Sequence, residues 1–154
     1  MNISVEYQGN KTFKANTLKS SYLLDCKEIT PVEYFATGII ACTGIDLVMM
    51  AEKDGFEVHH YQVSAQIEKT NYLPMKFTAM HILYTFEGEF EEDKAKRYIG
   101  ASLENHCTTV NSIRDSVEIK YSIKMNGKMI LEKEGLISLD MISKEDGFGE
   151  ACCS

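Results

Sequence analysis

Hydrophobic residues change their spacing several times along this chain of 154 residues, and each change predicts a new element. Residues 3–25 contain three short apolar stretches separated by Gly, Asn and Asp, which predict a small β-meander. Residues 30–33 read Thr-Pro-Val-Glu, with a hydroxyl at the N-cap, proline at the first helical position and glutamate at the third. This capping box predicts a helix from about residue 31 to residue 53, which the pair Asp54-Gly55 should end.

The predicted helix is apolar on nearly every side. Its most regular stripe consists of residues at helical spacing: Phe35, Ile39, Cys42, Ile45 and Met49. Ile40, Leu47 and Val48 add apolar surface elsewhere on the helix. A helix of this composition is typically buried from all directions, so we expect it at the centre of the protein.

The rest of the chain alternates between strand and helix patterns. Residues 57–68 and 76–86 predict two antiparallel strands, and helical spacing from residue 91 onwards predicts a second helix with Cys107 at its end. A short helical stretch follows, and two more strands flank Asn126-Gly127, a hairpin signal. This order predicts an α+β fold in one domain, residues 1–154, with helices on one side of a mostly antiparallel sheet. Residues 143–154 are expected to form a flexible tail.

Composition and charge narrow the classes of function. The chain is 44% hydrophobic and 25% charged, which is typical of a globular protein. Its net charge of -7 argues against a nucleic-acid partner, because phosphate binding needs clustered Lys and Arg. The first residues lack the pattern of a signal peptide, and polar residues interrupt the most apolar segment, 34–51. We therefore expect a cytoplasmic protein with no membrane partner.

The cysteines are the strongest candidates for chemistry. They stand at positions 26, 42, 107, 152 and 153, an odd set without the CxxC spacing of a zinc site, which favours reduced thiols over a disulfide framework. Cys42 lies in the apolar helix, and Cys107 lies at the end of the second predicted helix. Two thiols so placed suggest a redox-active pair, and the alternative is that both are buried, inert residues.

The sequence around these two cysteines resembles the OsmC/Ohr family of thiol peroxidases. The resemblance covers about residues 25–125 and is carried by Pro31, EYFATGIIACTGIDLVMMAEK, PMKFTAMHILYTFEG and SLENHCTTVNSI. It implies that Cys42 attacks an organic hydroperoxide and that Cys107 resolves the product to a disulfide, with no bound cofactor. It also implies an OsmC-like fold, with mostly antiparallel sheets around two central helices in an intertwined homodimer, and a dithiol reductant such as a lipoylated protein.

The chain departs from the family pattern in two places. Peroxidase members place a glutamate directly after the proline, but Val32 occupies that position, and the neighbouring Glu33 belongs to the capping box. The N-terminal arginine of the family is also missing, since no arginine precedes Arg97. Glu33 is therefore only a candidate supporting residue, and the resemblance implies weak or unusual peroxidase activity.

Two further residues are candidates for supporting roles beside the thiols. Asp46 stands one helical turn after Cys42 and is expected to raise the pKa of the thiol by like-charge repulsion if it faces it. His106, next to Cys107, offers either a proton relay or a favourable contact with the helix dipole.

These features leave three hypotheses open. The first is a thiol-dependent organic hydroperoxide reductase that uses Cys42 and Cys107. The second is a non-catalytic dimer of the same fold that binds a small apolar ligand, which the missing glutamate and arginine favour. The third is a thiol redox sensor that is oxidised but turns over slowly.

Overall fold

The computed structural model describes residues 1–137. The predicted tail at 143–154, with Cys152 and Cys153, lies outside the described residues. By its internal packing the chain divides into two compact units, Met1–Gly38 and Ile39–Ser154.

The first unit contains the predicted meander. Strands β1 (Ser4–Gly9), β2 (Thr12–Asn16) and β3 (Ser21–Asp25) form an antiparallel sheet in the order β1-β2-β3. The turn between β1 and β2 places Gly9 at φ 90, a conformation that glycine adopts without steric cost. The predicted short strands are confirmed, because each is specified locally by alternation and by its turn residues.

Helix α1 (Pro31–Lys53) begins and ends where the sequence predicts. The backbone N–H of Thr30 donates to the Glu33 carboxylate at 2.7 Å, and the Glu33 N–H donates to Thr30 Oγ1 at 3.2 Å. This reciprocal pair is the predicted capping box. At the other end Gly55 adopts φ 80, the left-handed conformation that stops a helix.

The second unit is built on a four-stranded sheet. Strands β4 (His59–Lys69), β5 (Phe77–Glu87), β6 (Glu118–Met125) and β7 (Lys128–Gly135) lie in the order β4-β5-β6-β7. The pairs β4/β5 and β6/β7 are antiparallel, whereas β5/β6 is parallel. A parallel pair needs a long crossover, and helices α2 (Glu92–Ala101) and α3 (Thr108–Ile113) provide it.

The core of this unit lies against one face of the sheet. Alternate residues of β5 and β6 are buried there, together with apolar residues of the helices: Met80, Ile82, Tyr84, Phe86, Ile119, Ile123, Leu47, Ile99, Leu103 and Val110. The period-two alternation of the strands places these side chains on one face, as the sequence predicts.

The predicted stripe of α1 is only partly buried in the single chain. Ile39 is buried, whereas Phe35, Ile45 and Met49 remain 53%, 43% and 45% exposed. Most other buried residues of the helix lie beside the stripe: Thr43, Gly44, Asp46, Leu47 and Ala51. The polar residues Thr43 and Asp46 can be buried there because each has a hydrogen-bond partner inside the core.

The second predicted helix also differs from the prediction. The α-helix ends at Ala101, and residues Ser102–His106 form a single π turn. The N–H of Cys107 donates to the carbonyl of Ser102 at 2.8 Å, five residues earlier, so the chain widens there. Cys107 has φ -74 and ψ 98 and therefore joins the π turn to α3, outside any helix.

Helix α1 is long and apolar enough to cross a membrane by length and composition alone. Within its most apolar window 39% of the residues are buried inside the protein. The buried core helix of a folded unit passes the same test, and the polar residues at the middle of α1 hydrogen-bond to protein groups. These contacts identify the second half of α1 as part of a protein core.

Candidate active site

The structure brings together the two cysteines that the sequence singles out. Cys42 lies at the middle of α1 and is half-buried, whereas Cys107 is fully buried. Their side chains form a hydrogen bond with each other although 65 positions separate them in the chain. Neither cysteine forms a disulfide in this structure.

Cys107 is buried in the core, which disfavours its charged form. Burial is the main reason that the pKa of Cys107 is raised to about 11, and the hydrogen bond with Cys42 raises it further. Two contacts act in the opposite direction, a hydrogen bond from the Val110 backbone and one with Thr109, whose Oγ1 lies 3.2 Å from the sulfur. Cys107 is therefore a neutral thiol at physiological pH.

A buried ion pair fixes the chain on both sides of Cys107. Arg114 Nη2 lies 3.0 Å from the Glu104 carboxylate, and Arg114 Nη1 donates to the Glu104 carbonyl at 3.2 Å. The same two side chains hold Ile137, whose N–H donates to Glu104 at 2.7 Å and whose carbonyl accepts from Arg114. Because both charges are satisfied by several hydrogen bonds, the pair locks the π turn to the start of the segment after β7.

Asp46 is a buried carboxyl group with a clear hydrogen-bond partner. It is 4% exposed and accepts a hydrogen bond from Ser102 Oγ at 2.6 Å. Burial raises the pKa of Asp46, whereas the bond from Ser102 and the charge of His106 lower it in part. Its carboxyl group therefore keeps a proton to a higher pH than an exposed aspartate does.

Glu33 has the partner expected from the capping box, and His106 lies near Asp46. His106 is half-buried and interacts electrostatically with Asp46, so the helix-dipole role is not needed to explain its position. The Glu33 carboxylate accepts hydrogen bonds from both the N–H and the Oγ1 of Thr30, each at 2.7 Å. These bonds lower the pKa of Glu33 and give its carboxylate a role in capping the helix.

A close contact between α1 and β4 sets the position of the helix near the thiols. Tyr61 donates its hydroxyl to the carbonyl of Gly44 at 2.8 Å. A Cβ atom at Gly44 would lie 3.1 Å from a methyl group of Val63, so a larger residue there would push the strand away. The glycine two positions after Cys42 therefore allows the helix to approach the sheet closely.

Sequence reasoning missed the polar residues that surround this contact. Thr43, Tyr84 and Ser102 are buried, and Thr43 hydrogen-bonds to each of the other two. The sequence indicates their burial only through their positions, since each hydroxyl-bearing residue falls on a face of its element that is otherwise apolar. Within residues 1–137 no group of three or more His, Cys, Asp or Glu side chains has the geometry of a metal site.

Comparison with known proteins places this geometry in a family. The sequence profile described as OsmC-like protein matches residues 24–122 of the chain. The chain belongs to the OsmC-like protein family. The matched region of this OsmC-like protein contains both thiols, Asp46, His106 and the π turn. No curated protein matches the chain.

Solved structures confirm the fold expected for an OsmC-like protein. An OsmC-like protein from Mycoplasma pneumoniae has a TM-score of 0.67 and 12% identity, covering 80% of this chain and 95% of that chain. An organic hydroperoxide resistance protein OsmC from Legionella pneumophila has a TM-score of 0.57 and 16% identity, covering 80% and 97%. The organic hydroperoxide resistance protein OhrB of Bacillus subtilis has a TM-score of 0.52 and 16% identity, covering 80% and 98%. At these identities the likeness concerns the fold.

The different burial of the two thiols predicts unequal alkylation rates. In the reduced protein near pH 7.5, Cys42 should react with iodoacetamide at least about tenfold faster than Cys107, because Cys107 is buried and protonated. Peptide mapping of the alkylated protein over time measures both rates. The control is the same reaction in concentrated urea, where the two rates should converge. Equal rates in the folded protein would contradict this assignment of the accessible thiol.

The buried carboxyl group predicts a pH-dependent gain in stability for Asp46→Asn. A raised pKa in the folded state means that the wild type loses stability as pH rises through that pKa, whereas asparagine stays neutral and still accepts from Ser102. The free energy of unfolding of the variant, relative to wild type, should therefore increase between about pH 4 and pH 8. Urea unfolding at a series of pH values measures it.

The matched control for this prediction is Asp93→Asn. Asp93 is a highly exposed aspartate in the first turn of α2. Its substitution should leave the pH dependence of unfolding close to that of the wild type. An Asp46→Asn difference that stays constant with pH would show that the buried carboxyl group does not titrate differently in the folded state.

Proposed function

We propose that this protein reduces organic hydroperoxides, with Cys42 as the peroxidatic thiol and Cys107 as the resolving thiol. The observation that carries this proposal is the hydrogen bond between a half-buried and a fully buried cysteine at the centre of the fold. Membership of the OsmC-like family supports it, as do the names of the Legionella and Bacillus proteins, which refer to organic hydroperoxide resistance.

The chemistry needs only the two thiols and an external reductant. The Cys42 thiolate attacks the O–O bond of the hydroperoxide, which releases the alcohol and leaves a sulfenic acid on Cys42. The sulfur of Cys107 then attacks the sulfenic sulfur, water leaves, and the Cys42–Cys107 disulfide forms. A dithiol, such as that of a lipoylated protein, returns two electrons and two protons, so the cycle requires no bound cofactor.

The electrostatics of the pair support this division of roles. Because burial and the bond to Cys42 raise the pKa of Cys107, the first proton lost from the pair leaves the negative charge on the more accessible sulfur. Cys107 then keeps its proton and donates it to the Cys42 thiolate as a hydrogen bond. The raised pKa of Asp46 acts in the same direction, because it reduces the share of ionised carboxylate that could repel a nearby thiolate.

The departures from the family pattern lower the expected rate. Val32 has no acidic group, and no arginine precedes Arg97 to hold a thiolate. Activation of Cys42 in this protein therefore lacks the contribution of these two charged groups. We infer a slower reaction with peroxide than in members that keep both charged residues.

The active form is proposed to be a homodimer. The single chain leaves Phe35, Ile45 and Met49 exposed along α1, and the meander leaves several apolar side chains exposed on its own sheet: Val5, Tyr7, Tyr22 and Leu23. Apolar surfaces of this extent on a small protein are typical of interfaces. We propose the cytoplasm as the protein's compartment, because an odd set of cysteines without regular spacing favours reduced thiols.

A thiol redox sensor is the second candidate function. The raised pKa of Cys107 supports it, because a resolving thiol that stays protonated closes the disulfide slowly. The apolar-ligand hypothesis gains no support from the groove on the outer face of the sheet, whose walls do not suit an apolar molecule. This groove of about 290 Å³ has mainly polar and charged walls: Gln66, Glu68, His81, Glu118, Lys120 and Lys133.

Disulfide formation tests the proposed peroxidase. In a background with Cys26, Cys152 and Cys153 changed to Ser, one equivalent of cumene hydroperoxide should remove two hydrogens per chain within seconds to minutes. Intact mass and peptide mapping should locate a Cys42–Cys107 disulfide. Cys42→Ser should abolish the reaction, and Cys107→Ser should leave a sulfenic acid on Cys42 that dimedone traps.

The outcomes separate the two candidates from an inert pair. Rapid oxidation followed by many turnovers with a dithiol reductant supports the peroxidase, and rapid oxidation with slow turnover supports the sensor. Unchanged mass, or oxidation that Cys42→Ser does not alter, would contradict both.

The homodimer is tested by adding charge to the exposed side of α1. Met49→Glu should reduce the mass measured by sedimentation from twice 17.4 kDa toward the monomer value, because a buried unpaired carboxylate destabilises an interface. Gln66→Glu, on the exposed face of β4, adds the same charge elsewhere and should not change the mass. A monomeric wild type at micromolar concentration would contradict the proposal.

A further inference from the structure

Ser102 contacts both of the chain segments that hold the thiols. Its side chain lies 2.6 Å from Asp46 Oδ2 and 3.0 Å from Thr43 Oγ1, both on α1. Its backbone carbonyl accepts the N–H of Cys107 at 2.8 Å. Thr43 directly follows Cys42, so a single residue joins the neighbours of one cysteine to the backbone of the other.

The hydroxyl groups around Ser102 have one consistent direction of donation. Ser102 has one hydroxyl proton, and the carboxyl oxygen of Asp46 at 2.6 Å is its nearest acceptor. Ser102 Oγ then accepts from Thr43, and Thr43 Oγ1 accepts from the hydroxyl of Tyr84 at 2.6 Å. Burial raises the pKa of Tyr84 well above its usual value, so Tyr84 remains a donor.

The chain of hydroxyls ties three elements to one another. Tyr84 belongs to β5, Thr43 and Asp46 to α1, and Ser102 to the π turn. All four residues are at least nine-tenths buried, so water does not compete for these bonds. The position of the π turn relative to α1 is therefore set by hydrogen bonds of fixed geometry as well as by apolar packing.

We propose that Ser102 is a positioning residue for the thiol pair, which holds the turn carrying Cys107 against the segment of α1 carrying Cys42 at the separation that a disulfide requires. The inference rests on the proposed function and deepens it. It assigns to Ser102 the alignment of the two sulfurs, while the bond-making steps remain with Cys42 and Cys107.

Thiol–disulfide equilibrium with glutathione measures this alignment directly. One oxidised glutathione accepts two electrons and two protons from Cys42 and Cys107, which gives the protein disulfide and two reduced glutathione molecules. The equilibrium constant reports how well the folded protein holds the sulfurs together, and it does not depend on any reaction with peroxide. The experiment uses the full chain with Cys26, Cys152 and Cys153 changed to Ser.

Ser102→Ala should weaken the disulfide while the protein remains folded. The equilibrium constant should fall about tenfold, which corresponds to a reduction potential about 30 mV less negative. Thr43→Val should shift it in the same direction by a smaller factor of about three, because the bond from Ser102 to Asp46 remains. The valine substitution keeps the shape of the side chain, so it provides the decisive measurement if Ser102→Ala does not fold.

Ser122→Ala is the matched control. Ser122 is 1% exposed and, like Ser102, has two partners, accepting from the Lys133 N–H at 2.9 Å and contacting His81 Nε2 at 2.8 Å. Its loss should lower the free energy of unfolding by a similar amount and leave the glutathione equilibrium unchanged. The comparison separates alignment of the thiols from general loss of stability.

The possible results distinguish the inference from the function on which it rests. A wild type that forms no Cys42–Cys107 disulfide with glutathione overturns the proposed function, and the positioning role with it. If the wild type forms the disulfide and Ser102→Ala, Thr43→Val and Ser122→Ala all have the same glutathione equilibrium constant as the wild type, the positioning role alone is overturned. Constants lowered in the first two variants only would support it.

Discussion

The hydrogen bond from Ser102 to Asp46 is the contact on which the arrangement of the second unit depends. It is short and buried, and its acceptor, Asp46, is only 4% exposed, so the carboxyl group needs a hydrogen-bond donor inside the protein. Its presence explains why the face of α1 that carries Asp46 is turned inward. It also explains why the chain widens at Ser102, where the turn toward Cys107 begins.

Much of the fold could be predicted from the sequence because its signals are local. The capping box at residues 30–33 defined the start of α1, and alternation in β5 identified the buried face of the sheet. The π turn could not be predicted, since it depends on partners of Ser102 that lie on α1, 56 and 59 positions away in the sequence. For the same reason the buried face of α1 coincided only in part with its most regular apolar stripe.

The candidate site was predictable in its residues and less so in its environment. Cys42 and Cys107 were singled out from their places in two predicted helices and from a family resemblance, and the structure brings them into contact. The environment of Asp46 was not anticipated, because burial raises the pKa of its carboxyl group while the hydrogen bond from Ser102 lowers it in part. Such effects depend on desolvation, which spacing in a sequence does not report.

The long separation of Cys42 and Cys107 along the chain also links oxidation to folding. A disulfide between them would close a loop of about 65 residues, which removes conformational entropy from the unfolded chain and is worth about 4 kcal/mol by loop-closure arguments. The oxidised protein would then resist unfolding more strongly than the reduced one. A reductant that reopens the bond would return the chain to its less stable form, so each round of oxidation and reduction would pass through two states of different resistance to heat and proteolysis.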